Sequence, residues 1–143
     1  MTVLPDTGYR PTAEEVAGIH AWFAAYDAAS GRRDIEAMAD LAVFPLNLVS
    51  DRPDGEGVGA QWDRGRFVEA MTRIMGEGDE DIAFESTRTP VFLGPSIAVV
   101  FTDSVMTAGG ETQRLRYADV LVRRGATWAF QTMLQGGWGD QLP

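Results

Sequence analysis

Cysteine is absent from this chain of 143 residues, lysine is absent, and histidine occurs once, at His20. Without cysteine there is no thiolate nucleophile, no iron–sulfur cluster and no cysteine zinc site. Without lysine there is no Schiff-base chemistry. One histidine leaves a serine triad short of its usual base and a histidine-rich metal site short of ligands, so neither a metal nor a cofactor is expected. Apolar runs of the ~20 residues that a spanning helix needs are also missing, and Met1 to Arg10 has neither the basic nor the apolar region of a signal peptide. A cytoplasmic chain with no membrane partner is the expectation. Twelve arginines stand against 21 acidic residues, giving a net charge of -9. That balance repels phosphate backbones, so no nucleic-acid partner is expected.

What is present reads as one globular domain over 1–143, since 45% of residues are hydrophobic and the length suits a single core. Residues 1–11, with Pro5, Gly8 and Pro11, read as an extended arm. Thr12 to Glu15 has capping-box spacing, and Val16, Ile19, Trp22, Phe23 and Tyr26 follow on one helical face up to Ser30-Gly31. Asp34 caps a second helix with the stripe Ile35, Met38, Leu41 and Ala42, ended by Pro45. Phe44 to Val49 predicts a short strand, and Asp51 to Gly59, with Pro53 and three glycines, a loop. Asp63 caps a third helix that runs through Phe67, Met71, Ile74 and Met75 to Gly76 and Gly78. After the acidic turn Glu77 to Asp81, four strands are predicted at about 82–93, 96–107, 112–124 and 127–134, joined by Gly94-Pro95, Gly109-Gly110 and Gly125. Joints this short make consecutive strands antiparallel neighbours.

Helices followed by a bent antiparallel sheet define an α+β domain in which the helices close one sheet face into a cone. This order of elements, together with the run Tyr117 to Trp128 in the penultimate hairpin, resembles the NTF2-like superfamily in its ketosteroid-isomerase-like and SnoaL-like branch. The resemblance covers about Thr12 to Trp138. It implies a cystatin-like cone with three N-terminal helices packed on a strongly curved, mainly antiparallel sheet.

A ligand in such a cone lies between the concave sheet face and the helices, so the inward residues of each strand are the candidates. On the strand 112–124, Leu115, Tyr117, Asp119 and Leu121 share one face by the period of two. An acid between Tyr117 and Leu121 is a desolvated acid–base group if this face looks into the cone; otherwise the face looks outward, or the acid pairs with an arginine such as Arg116, Arg123 or Arg88. On the short strand Asn47, Val49 and Asp51 share a face, and Asp51 before Arg52-Pro53 is either a turn initiator or a site acid. His20 lies beside Phe23 and Asp27 on the first helix, as a structural histidine or as a group at the pocket rim. The pocket is expected to open near the Asp51 turn, lined by Trp22, Tyr26, Asn47, Tyr117, Asp119 and Met133.

The resemblance adds roles. Val49 to Pro53 is similar to the stretch where ketosteroid isomerases carry their general-base Asp, and Asp119 to their protonated Asp donor. Their helix-one tyrosine is replaced by Trp22, with Tyr26 a turn later, which argues against steroid isomerisation itself. Limonene-epoxide-hydrolase-like members place Arg two residues before an Asp, where Tyr117 stands here. SnoaL-like cyclases use an Asp in an apolar pocket, a role open to Asp119 with His20. Proton transfer on a small apolar carbonyl compound is the leading reading, and a noncatalytic module that binds an apolar ligand or dimerises is the alternative. A homodimer through the outer sheet face is expected, because Val99, Phe101 and Val105 alternate with Val100 and Met106 and so make both faces of their strand apolar.

Overall fold

A computed structural model describes residues 6–76 and 83–143. The acidic turn 77–81, Gly78, the start of the following strand at Ile82 and the first five residues of the arm lie outside the described residues. In chain order the elements are α1 (Ala13–Gly31), α2 (Ile35–Ala39), β1 (Ala42–Asp51), β2 (Gly57–Trp62), α3 (Arg64–Met75), β3 (Ala83–Gly94), β4 (Ile97–Ala108), β5 (Glu111–Arg124) and β6 (Thr127–Leu134), then a 3-10 turn at Gly139–Gln141. The six strands form one mixed sheet in the order β2-β1-β6-β5-β4-β3. Only β1 and β6 run parallel; the other pairs are antiparallel.

The helix starts are capped as their sequences dictate. Thr12 accepts from the Glu15 amide while Glu15 accepts from the Thr12 amide, and Asp34 and Asp63 cap α2 and α3 from single carboxylates. In the arm, the Tyr9 hydroxyl donates to Glu15 at 2.9 Å and its ring lies 6.2 Å from that of Phe92.

Several features differ from the sequence reading. The chain does not place three helices ahead of the sheet: α2 is a single five-residue turn, and α3 follows the β1–β2 hairpin. Leu41 and Ala42 leave the helical stripe because Asp40 is the C-cap of α2 and pairing begins at Ala42. Pro45 then falls inside β1 rather than ending a helix. It lies in the stretch where the β1–β6 register is broken, so its missing N–H costs no regular ladder bond.

The segment read as a glycine loop is instead split. Arg52 to Glu56 forms the turn, with the Arg52 amide donating to Glu56 O, and Gly57–Trp62 pairs with β1 as an edge strand. Val58, Ala60 and Trp62 supply its inward face, so an alternating signal was present between the glycines.

Helix α1 packs on β3, and α3 packs on β1 and β2, covering one face of the sheet. The covered face carries Leu46, Leu48, Ala98, Val100, Leu121 and Phe130, all buried. The opposite face leaves Val49 at 47% and Phe101 at 49% exposure, although both are apolar. No helix among the described residues is long and apolar enough to cross a membrane.

Candidate functional site

Strand register brings the polar residues of the covered face together. One row across the sheet runs Pro90, Val100, Asp119, Met133 and Leu48; the adjacent row runs Arg88, Thr102 and Tyr117. Asp119 is therefore flanked across both strand pairs by apolar side chains, and Tyr117 stands ~7 Å from it along β5 on the same face. Both line a cavity of about 670 Å³ between the sheet and the helices, as do Tyr26, Met38, Met71 and Met133.

Asp119 is 3% exposed, and its Oδ2 atom has no hydrogen-bond partner. Burial raises its pKa from the usual 3.8 to about 8, against the opposing pull of the Arg88 charge. Burial wins because Arg88 is already committed. Its two Nη atoms grip the Asp27 carboxylate of α1, Nη2 to Oδ1 at 2.9 Å. Nη2 also donates to the Tyr117 hydroxyl at 3.1 Å, and Nε to Thr102 at 3.2 Å. The guanidinium lies 4.1 Å above the Phe23 ring. Burial works against its charge, yet the bonds and charge of Asp27 and the neighbouring Tyr117 leave its pKa above the ordinary arginine value. Burial likewise lifts both Tyr26 and Tyr117 above the ordinary tyrosine value.

None of the three arginines considered as partners of Asp119 bonds to it. Arg88 takes Asp27, and Arg116 lies 3.7 Å from Asp103 in an exposed pair. Tyr26, Tyr117, Asp119 and Met133 are brought together at the cavity, whereas four of the expected site residues are elsewhere. Trp22 is buried edge-on against Phe23 and Phe130, at 4.9 and 4.6 Å between ring centres, and does not reach the cavity wall. His20 is exposed on the outside of α1, in a surface groove also lined by Phe23, Asp27 and Arg88. The parity of β1 is the reverse of what was expected: Leu46, Leu48 and Ser50 point inward, so Asn47 faces out, where its Oδ1 accepts from Gln61 at 2.9 Å.

Asp51 shares the outward parity and has a structural partner. Its Oδ1 accepts from the Gly137 amide at 2.7 Å, and the neighbouring Ser50 Oγ accepts from the Trp138 amide at 2.8 Å. Farther on, the Trp62 indole donates to Leu142 O at 3.0 Å. These bonds strap the segment after β6 over the cavity, which Gly136, Gly137, Trp138 and Leu142 help to line. Gly137 has φ 85°, a left-handed conformation that favours glycine.

The residues that sequence reasoning missed are Asp27 and Arg88 as a pair. Asp27 lies one turn beyond Phe23, and that spacing was the available signal. Among the described residues, no cluster of three or more His, Cys, Asp or Glu could hold a metal ion.

No family model and no curated protein matches the sequence. Solved structures do. An NTF2-like protein of unknown function from Pseudomonas putida superposes with a TM-score of 0.72 at 15% identity, over 90% of this chain and 89% of that one. A protein described as a "putative scytalone dehydratase" from Novosphingobium aromaticivorans gives 0.64 at 16% identity, over 85% and 82%. A "putative dehydratase from the NTF2-like family" of Streptomyces avermitilis gives 0.65 at 16%, over 88% and 98%. The chain has the NTF2-like, cystatin-like fold of these proteins.

Proposed function

We propose that the cavity binds a small apolar carbonyl compound and that Asp119 moves a proton on it. The observation that carries this reading is the unpartnered Oδ2 of Asp119, buried on the wall of a cavity large enough for a small organic molecule. A buried acid with no ionic partner is costly to the fold, and a pKa of about 8 leaves both its protonation states accessible near neutrality.

Among the described residues, Asp27 is the one other carboxylate that lines the cavity, and Arg88 holds it. Asp119 must then both take and return the proton. Its ionised form removes a proton from the carbon next to the carbonyl, and the Tyr117 hydroxyl donates to the oxygen on which charge develops. The neutral acid so formed gives the proton to a different carbon, which is isomerisation, or to a departing hydroxyl, which is loss of water. The two "putative dehydratase" neighbours favour the second outcome, and the likeness to ketosteroid isomerases and SnoaL-like cyclases the first. Neither step uses a metal or an organic cofactor.

The test is exchange of the protons next to the carbonyl of 1-tetralone in D₂O, followed by proton NMR. Wild-type protein should accelerate it, and Asp119→Asn should slow it by ~10²-fold or more. The rate should rise about tenfold per pH unit up to roughly 8 and then level, because the ionised form is the base. Equal rates in wild type and Asp119→Asn would refute the reading.

The partner proposed for the outer sheet face is a second copy of the chain. Val49, Leu134, Ala118, Phe101 and Thr89 form one unbroken row across the outer sheet face through the pairings of β1, β6, β5, β4 and β3. A nearly uncharged row of this width suits a self-complementary interface.

A further inference from the structure

We infer that the Asp27–Arg88 pair is the positioning device for Tyr117, setting its hydroxyl so that the proton points into the cavity. This rests on the reading above, in which Tyr117 holds the ligand oxygen.

A guanidinium has only donors, so in the 3.1 Å contact between Arg88 Nη2 and the Tyr117 hydroxyl the phenol oxygen must accept. With that side of the oxygen facing a cation, the hydroxyl proton turns away from Arg88, toward the space that Tyr117 lines. Such orientation is useful only if the guanidinium itself cannot swing, and it is held from every side. Asp27 on α1 grips it through both Nη atoms, Thr102 on β4 accepts from Nε, and the Phe23 ring of α1 lies beneath Cζ. Its side chain is 6% exposed. The planar fork makes this possible; a lysine ammonium could not hold Asp27 and Tyr117 in one fixed plane.

Register explains why the arginine is at this position. Arg88, Thr102 and Tyr117 are cross-strand neighbours in one row of β3, β4 and β5, so the arginine spans the row and Asp27 descends on it from the helix. An ion pair that only clamped α1 to the sheet would matter equally with or without the Tyr117 hydroxyl. A positioning pair matters only when that hydroxyl is present.

The test combines two measurements. With ζ-¹³C tyrosine incorporated, only Tyr9, Tyr26 and Tyr117 report. Arg88→Gln should shift the Tyr117 resonance and leave that of Tyr9, bonded to Glu15, unmoved. The second measurement is the affinity of 4-nitrophenol at fixed pH for wild type, Arg88→Gln, Tyr117→Phe and the double variant. Arg88→Gln should weaken binding tenfold or more in the wild-type background and less than twofold in Tyr117→Phe. An unmoved Tyr117 resonance, or the same loss in both backgrounds, overturns the inference. If Arg88→Gln does not fold, the near-isosteric Asp27→Asn takes its place with the same two outcomes. Should 4-nitrophenol fail to bind wild-type protein, the proposed function fails, while the tyrosine resonance still decides whether Arg88 orients Tyr117.

Discussion

Asp119 couples the proposed chemistry to the stability of the fold. Its folded pKa of about 8 lies above its ordinary 3.8, so the native state holds a proton that the unfolded chain releases between those values. The group's contribution is therefore fully present below about pH 4 and is lost as pH rises toward 8. About four pH units at ~1.4 kcal/mol each put the loss on the order of 5 kcal/mol. An asparagine cannot ionise but leaves its amide unpaired, at a cost of ~1–3 kcal/mol. Asp119→Asn should thus be the less stable protein at pH 4 and the more stable by ~2–4 kcal/mol at pH 8. Urea denaturation at the two pH values checks the crossing; parallel curves would mean that Asp119 is ionised when folded. Asp119 and Tyr117 were legible in the sequence because alternation on one strand is a local property. The Asp27–Arg88 pair was not, since the two residues lie 61 positions apart and only the docking of α1 on β3 brings them together.

Among the elements, the segment after β6 depends on very few groups. A Cβ on Gly139 would stand 2.6 Å from Asp51 O and 2.5 Å from Arg52 Cγ, inside any tolerable contact. Gly139→Ala should push this segment off β1 and lower stability by ~1–3 kcal/mol, measured by thermal unfolding. Asp51→Ala removes the acceptor of the Gly137 amide, for ~1–2 kcal/mol in an exposed setting. It should speed amide exchange at Gly137 and Trp138 while leaving β4 and β5 protected; unchanged exchange there would show that Asp51 does not hold the segment. Asp51 reads in sequence as a turn former or a site acid, and it is a tether because β1 turns Ser50 inward and Asp51 outward. That parity was hidden by Pro45 and the register break before Asn47, which interrupt the alternation a strand normally displays. The β1–β2 hairpin was hidden by its glycines, which mask a period of two carried by only Val58, Ala60 and Trp62.

For the molecule as a whole, the helices cover one sheet face and leave on the other an apolar row through Val49, Leu134, Ala118 and Phe101, beside the exposed ion pairs of Asp103 with Arg114 and Arg116. Phe101→Glu places a charge at 49% exposure in the middle of that open face, with Ala118 and Thr89 beside it. Wild-type protein should be a dimer by light scattering at micromolar concentration, and Phe101→Glu a monomer of nearly unchanged melting temperature. A monomeric wild type would remove the interface. The order of elements was legible as a fold because helix caps and glycine joints punctuate the chain. The side of the sheet that faces the helices was legible on β5 alone, where Asp119 interrupts an apolar face. In the proposed function, this fold encloses a carboxylic acid, Asp119, held largely neutral at physiological pH. The most direct measurement is the pH titration of the Asp119 carboxyl carbon by ¹³C NMR, assigned by its loss in Asp119→Asn. A midpoint near pH 8 is the predicted result, and a midpoint below pH 5, in the range of exposed carboxylates, would contradict it.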